Sequence, residues 1–306
     1  MSTFLTNIES RASLLLQGQD SRKFLQGQAT CDVEALHDGD SLPGALCNPQ
    51  GRMITDFRVW QLTEDELVLG LHHSLVETVT ATLAKYLMFS RATLEPAPGR
   101  FCQLAVWGDT AASLLGAGED CRGWQFHGAA VTPSSVPGAY ELLVPADALA
   151  AVTDALSDAE TVPEQRWLRE EIDHGVAHVC EETTGMFLPQ MLNYQATGHV
   201  SFTKGCYTGQ EVVARMHYRG KVKRPLHRFR TQLQDRDIQL PPGTPLFRTG
   251  SEQPVGQMAS AVIEGDTLWL LASVASDAVA DGVFLGEQRL PLESRPLPEN
   301  VAAARA

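Results

Sequence analysis

The residues best suited to chemistry are gathered in one octapeptide, Lys204-Gly205-Cys206-Tyr207-Thr208-Gly209-Gln210-Glu211. A thiol stands two residues after a cation and five before an acid. The thiolate is the reactive form of cysteine, and a nearby cation lowers the pKa at which it forms. Lys204 is therefore the expected activator of Cys206. Gln210 and Glu211 are expected to position the thiol or exchange protons with it. The flanking glycines allow a tight turn and a close approach to a ligand. The competing reading of Gly-Cys-Tyr is a small buried hydrophobe, a common role for a free thiol. A basic tract follows from Arg215 to Arg230 with no Asp or Glu in it. It reads as a solvated strand and loop, as a small-anion site, or as an RNA-binding face.

The octapeptide and its surroundings also carry a resemblance. Phe187–Asn193, Val200-Ser201-Phe202-Thr203, the octapeptide itself, Val212–Arg215 and Arg219-Gly220 together resemble the pattern of the YgfZ family of folate-binding proteins. That family is related to the T protein of the glycine cleavage system. Weaker likeness extends to Gln26–Val33, Cys47–Met53 and Lys85–Arg91.

Composition limits the possible functions. The chain has 306 residues, 43% hydrophobic and 20% charged, with a net charge of −13. This is ordinary for a globular protein of two or three domains. Such an acidic chain is repelled by nucleic acid and by anionic membrane, so no direct nucleic-acid or membrane partner is expected. No run reaches the roughly 18 apolar residues of a membrane span, and no secretory signal is visible. The six cysteines form no C-x-x-C pair, so no metal-ligand spacing is visible and none is expected to bind metal. They read as reduced thiols of a cytoplasmic protein. The adjacent pair His72-His73 lacks the i, i+4 spacing of a metal site.

The elements expected to position these residues alternate between strand and helix. A helix over 21–28 follows Asp20. Strands follow at 42–47, 53–62 and 66–71, with a turn at Asn48–Gly51. A helical period covers 74–86. A second unit reads as strand 102–107, helix 109–115, strand 140–144 and helix 145–156, with loop and strand over 116–138. Residues 163–175 form a helix with Trp167, Leu168 and Ile172 on one face. From 226 onward the signals are strands and turns, as in a small β-barrel. The fold class is α+β.

The resemblance implies a three-domain ring like that of the T protein, with folate in a central hole and a C-terminal β-barrel. The expected domains are two interleaved α+β units, 1–100 and 101–225, a barrel at 226–298 and a frayed tail at 299–306. Tetrahydrofolate is the expected cofactor. Its flat pterin wants an aromatic wall and polar groups at its edge, and its anionic tail wants cations. Trp167 is expected as the wall or, alternatively, as a core tryptophan. Asp32, Gln28 and Gln190 are candidates for the pterin edge, or else caps and turn residues. Tyr207, Gln210, Arg215 and Arg219 complete the expected contacts. Arg11 stands where some relatives carry a second folate-site aromatic.

In the T protein a double glycine precedes paired aspartates. Here the place holds Gly51-Arg52-Met53-Ile54-Thr55-Asp56, one glycine and one acid short. Asp56 reads as a surface or hydrogen-bonded residue, and aminomethyl transfer reads as lost. The resemblance instead implies an accessory protein for synthesis or repair of iron–sulfur clusters. Its partners would be client enzymes or assembly machinery, including radical enzymes that methylthiolate tRNA. A folate-dependent aminomethyl- or methyltransferase, and an RNA-binding module working through 215–230, are the alternatives.

Overall fold

A computed structural model describes residues 2–118, 122–235 and 238–299. Cys121 and the last seven residues of the tail expected to fray lie outside the described residues. The chain builds three sheets. The first is antiparallel, in the order Ser41–Cys47, Met53–Thr63, Glu66–His72, Arg11–Gln17, Thr93–Pro96. The second runs Glu160–Thr161, Thr3–Asn7, Phe101–Gly108, Ala139–Pro145, Ala129–Pro133, Trp124–Phe126. Thr3–Asn7 thus joins a sheet whose other strands come from 101–161, while the next strand, Arg11–Gln17, enters the first sheet. The third sheet is a closed six-stranded barrel of strands between Leu226 and Arg295. The α+β class and the C-terminal barrel are as the resemblance implied.

The run Leu14-Leu15-Leu16 explains how the first two sheets meet. Alternate residues of a strand point to opposite faces, yet all three leucines are fully buried. Leu14 and Leu16 belong to the core under the Val76–Leu87 helix, with Val79 and Leu83. Leu15 packs on the other face with Trp60 and Val68, against Ala130 and Leu143 of the second sheet. A strand buried on both faces therefore reads as a continuous apolar run.

Strands Thr3–Asn7 and Thr93–Pro96 and the short Ser276–Asp281 helix are not marked in the sequence, and neither are two further elements. Gln210–Arg219, in the basic tract, is an α-helix. Leu290–Arg295 is a strand and closes the barrel against Leu226–Gln232. Along the helix only Val213 is fully buried, so its apolar stripe is too narrow for a 3.6-residue period to show. The last strand's exposed and half-buried residues hide its alternation in the same way.

Candidate functional site

The octapeptide is clamped to two other segments. The Lys204 Nζ donates to three backbone carbonyls: Gln26 at 2.8 Å, Ala29 at 2.7 Å and Cys31 at 2.7 Å. An ammonium has three donors, so none is left for Cys206. The expected activating contact is therefore replaced by a structural one. Burial lowers the lysine's pKa, while Cys31, Asp32 and Glu34 work in the opposite direction. Thr208 donates to the Gln28 amide oxygen at 3.1 Å, a second tie to the same loop.

Gly209 adopts φ +83°, and a Cβ there would lie 2.4 Å from the Asn48 carbonyl oxygen. Its close approach is to the Asn48–Gly51 turn, where Gly51 in turn lies against Val212. Cys206 itself is exposed, whereas Cys31, Cys47 and Cys180 are buried. Burial pushes those three thiols up, to about 12, 12 and 11 respectively. Glu211 lies exposed in the first turn of the Gln210–Arg219 helix, where a carboxylate favours the positive end of the helix dipole.

Elsewhere, the first sheet, the barrel and the Glu164–Asp173 helix converge on a cavity of about 150 Å³, with the second sheet behind it. Its polar wall includes Arg11, Asp56, Glu171 and His178, with His72 and Ser10 beside them, and Leu71, Leu168 and Ala259 are apolar. Asp56 and Arg11 come from strands of the first sheet, and Glu171 from the Glu164–Asp173 helix. The barrel contributes Ala259 and Ser260 at a register shift in Pro254–Glu264. A bulge re-aims side chains there, and the Ser260 hydroxyl accepts from the backbone N–H of His178 at 3.3 Å. The second sheet contributes Glu141 from behind.

These groups form a buried ion network. His178 Nδ1 meets Asp56 at 2.7 Å and its Nε2 meets Glu171 at 2.9 Å. The Val179 N–H donates to the other Asp56 oxygen at 2.6 Å. Arg11 meets Glu141 at 2.5 Å and Glu171 at 3.7 Å, and Arg58 meets Glu141 at 3.1 Å. Burial alone would depress the imidazolium, but Glu171 and Asp56 outweigh it and raise His178 to about 10. Burial would raise Asp56, but His178 holds it down at about 2. Arg11 and Arg58 likewise hold the Glu141 carboxyl well below the usual range despite its burial. With His178 protonated, three cations face three carboxylates, and the buried cluster is neutral overall.

The raised imidazolium makes stability depend on pH. A group whose folded pKa exceeds its unfolded value stabilises fully below the unfolded value and loses that effect as pH rises. For His178 the window opens at about 6.5 and closes near 10. One extra bound proton gives a slope approaching 1.4 kcal/mol per pH unit, or about 2 kcal/mol lost between pH 6.5 and 8.5. Water tempers this at the open edge of the ring, whose side chain is 21% exposed. Above roughly 8.5 the cysteines of the unfolded chain titrate as well. Urea midpoints of wild type should fall across that window, and those of His178→Gln should stay flat. Equal slopes in the two proteins would refute the assignment.

The expected folate residues lie apart from this cavity. Trp167 is fully buried in a separate apolar cluster, its ring 5.3 Å from that of Trp107. The geometry is that of a core tryptophan. Leu168 and Glu171 of the same helix line the cavity instead. Asp32 accepts from the Gln26 side chain at 2.9 Å. Gln28 belongs to the clamp. Tyr207 is buried under Lys204, whose Nζ lies 5.3 Å from the ring centre. Gln190 donates to the Val213 carbonyl at 2.8 Å and lines a different cleft. Gln210, Arg215 and Arg219 follow on the helix, with both arginines exposed. Asp56 is not a surface residue: it is 6% exposed, and each of its oxygens takes part in one hydrogen bond.

Sequence reasoning passed over Glu171 and His178. Glu171 did carry a signal, since it stands four residues after Trp167 and three after Leu168, an acid on the inner face of the helix. His178 carried none, because it lies in the irregular stretch between that helix and Glu181.

Comparison with known proteins agrees with this architecture. Residues 2–128 match the family described as the GCVT N-terminal domain. The tRNA-modifying protein YgfZ of Yersinia pestis (strain Pestoides F) is 30% identical over 318 aligned residues, covering 97% of this chain and 93% of the relative. Its counterpart in Klebsiella pneumoniae (strain 342) is 31% identical, covering 98% and 94%. The crystal structure of glycine cleavage system aminomethyltransferase T from Bartonella henselae superposes with a TM-score of 0.68 at 17% identity, covering 99% of this chain and 87% of that one. The likeness to the aminomethyltransferase is one of fold.

Proposed function

This chain belongs to the YgfZ family, and from that premise we propose that it binds a reduced folate in the cavity between the first sheet, the barrel and the Glu164–Asp173 helix. The observation that carries the reading is the pair of carboxylates, Asp56 and Glu171, bridged by His178 at that point. A carboxylate accepts hydrogen bonds, and the edge of a reduced pterin offers N–H donors, so the chemistry of the wall fits the ligand. Leu71 and Leu168 supply apolar surface for the ring. An interior of about 150 Å³ encloses roughly one benzene-sized ring, so it would take the amino-bearing ring of the bicyclic pterin, and the second ring and the aryl-glutamate tail would extend towards solvent. A bound folate supplies a carrier for a one-carbon unit.

Within this reading the protein is an accessory factor for iron–sulfur enzymes. The tRNA-modifying name of its relatives suits clients that methylthiolate tRNA. The paired aspartates of the T protein are reduced here to Asp56 alone, which speaks against aminomethyl transfer. Each of its oxygens accepts one hydrogen bond, from His178 and from Val179, and keeps a lone pair for the pterin edge. Cys206, exposed on a clamped turn, is the group that such clients could reach.

Two measurements test the reading. Tetrahydrofolate should bind in calorimetry at micromolar concentration, and Leu168→Phe, which fills the cavity, should weaken it about tenfold or more. Absence of binding at millimolar ligand would remove the folate assignment. Cys206→Ala should leave the melting temperature unchanged, because a side chain on an exposed turn contributes about 1 kcal/mol or less. The same variant should fail to restore iron–sulfur enzyme activity in cells lacking the protein. Full restoration would end the role given to the thiol.

A further inference from the structure

We propose that a second cleft, of about 540 Å³, binds a nucleoside phosphate. The site is separate from the folate cavity and does not rest on the folate reading. It lies between the 186–191 segment, the C-terminal half of the Gln210–Arg219 helix, the 221–224 loop and the barrel residue Gln257. Its volume falls in the range of small-molecule sites, roughly 300–1,000 Å³.

Three independent features identify the ligand class. The first is the lining of Met186, Leu188, Met191 and Met216. Thioether sulfur is polarisable and packs well against aromatic rings, so the lining suits a flat heterocycle. The second is Gln190, which is 3% exposed. Its amide N–H₂ donates to Val213, but among the described residues its side-chain oxygen has no partner. A buried acceptor without a donor costs free energy, and an exocyclic amino group or ring N–H of a base would satisfy it once a small shift of the Gln190 side chain turns that oxygen to the cleft it lines.

The third feature is charge. Arg52, Lys221, Lys223 and Arg224 line the cleft. None of the four has a carboxylate partner among the described residues, although Arg228 and Arg230, just downstream, are paired with Asp173 and Glu293. In a chain of net charge −13, four cations without a carboxylate around one cleft, one of them (Arg52) also donating to the Met186 carbonyl, make a local site for a phosphate. A nucleotide joins an amino-bearing aromatic ring to a phosphate through its ribose, and so offers both groups to the cleft. It could arrive as a free mononucleotide or as an unstacked nucleotide of an RNA strand. Both present the same chemistry to the cleft.

Calorimetry of the full chain at low salt with AMP, with ATP and with a short single-stranded RNA should show binding in at least one arm. The arm that binds identifies the source. Lys221→Glu combined with Lys223→Glu changes two exposed side chains and should weaken that binding about tenfold or more. It should leave the affinity for tetrahydrofolate as in wild type. Conversely, Leu168→Phe should leave nucleotide binding untouched. The proposal is overturned if no arm binds at millimolar ligand, or if binding survives the double charge reversal. It is overturned equally if tetrahydrofolate displaces the nucleotide from a single shared site.

Discussion

Replacing Glu141 by leucine should destabilise the protein by about 3–5 kcal/mol, the cost of removing one partner from a buried ion pair. Glu141 is 5% exposed and accepts from both Arg11 and Arg58. Without it Arg58 keeps only the Ser41 hydroxyl, at 3.0 Å. Arg11 keeps Glu171 at 3.7 Å, but that carboxylate is already shared with His178. The loss comes from stranded charge, so it should shrink when the charge is removed too. In a double-mutant cycle, Glu141→Gln should cost less on an Arg58→Met background than on wild type. Urea unfolding of the four proteins of the cycle and of Glu141→Leu decides the matter. Additive values, or a loss under about 1 kcal/mol for Glu141→Leu, would mean that the network contributes little. The change should also weaken the cavity, because Arg11 touches Glu171 and His178 on its other side.

The contrast between the octapeptide and this network shows what a sequence makes legible. Strands such as Met53–Thr63 and Glu66–His72 were readable because local alternation and the turn residues between them fix both ends. The barrel was readable from punctuated short strands. The ion network was not, because its members come from positions 11, 56, 58, 141, 171 and 178 and meet only when three sheets converge. Isolated, each is an ordinary charged residue. Arg58 and Glu141 sit on strands of different sheets, and no local spacing marks their pairing. The octapeptide raises the opposite difficulty. Its residues are adjacent, so proximity in sequence suggests proximity in chemistry. Yet Lys204 and Cys206 are served by different surroundings, one buried among carbonyls and the other in solvent.

Lys204 gives the sharpest test of that distinction. If it activates Cys206, Lys204→Met should slow alkylation of Cys206 and barely change stability. The geometry forecasts the reverse. Methionine keeps the length of the stem but leaves the carbonyls of Gln26, Ala29 and Cys31 without their donor. Hydrogen bonds to a charged group are worth about 1.5–3 kcal/mol each, and the Ala29 and Cys31 acceptors left behind are buried, with that of Gln26 half-buried. The three are not additive, so a total loss of about 3–5 kcal/mol is expected. Arginine should not restore it, because a planar guanidinium cannot aim three donors at three carbonyls converging on one point. Cys206 should meanwhile label at a rate within about twofold of wild type under native conditions, since its exposure is unchanged. In both proteins it should label ahead of Cys31, Cys47 and Cys180, which are buried and whose thiols ionise only at high pH. Mass spectrometry after brief alkylation at pH 7.5, alongside urea unfolding, reads both quantities from one preparation. A stable Lys204→Met protein with a sluggish Cys206 would restore the lysine as activator and refute the clamp.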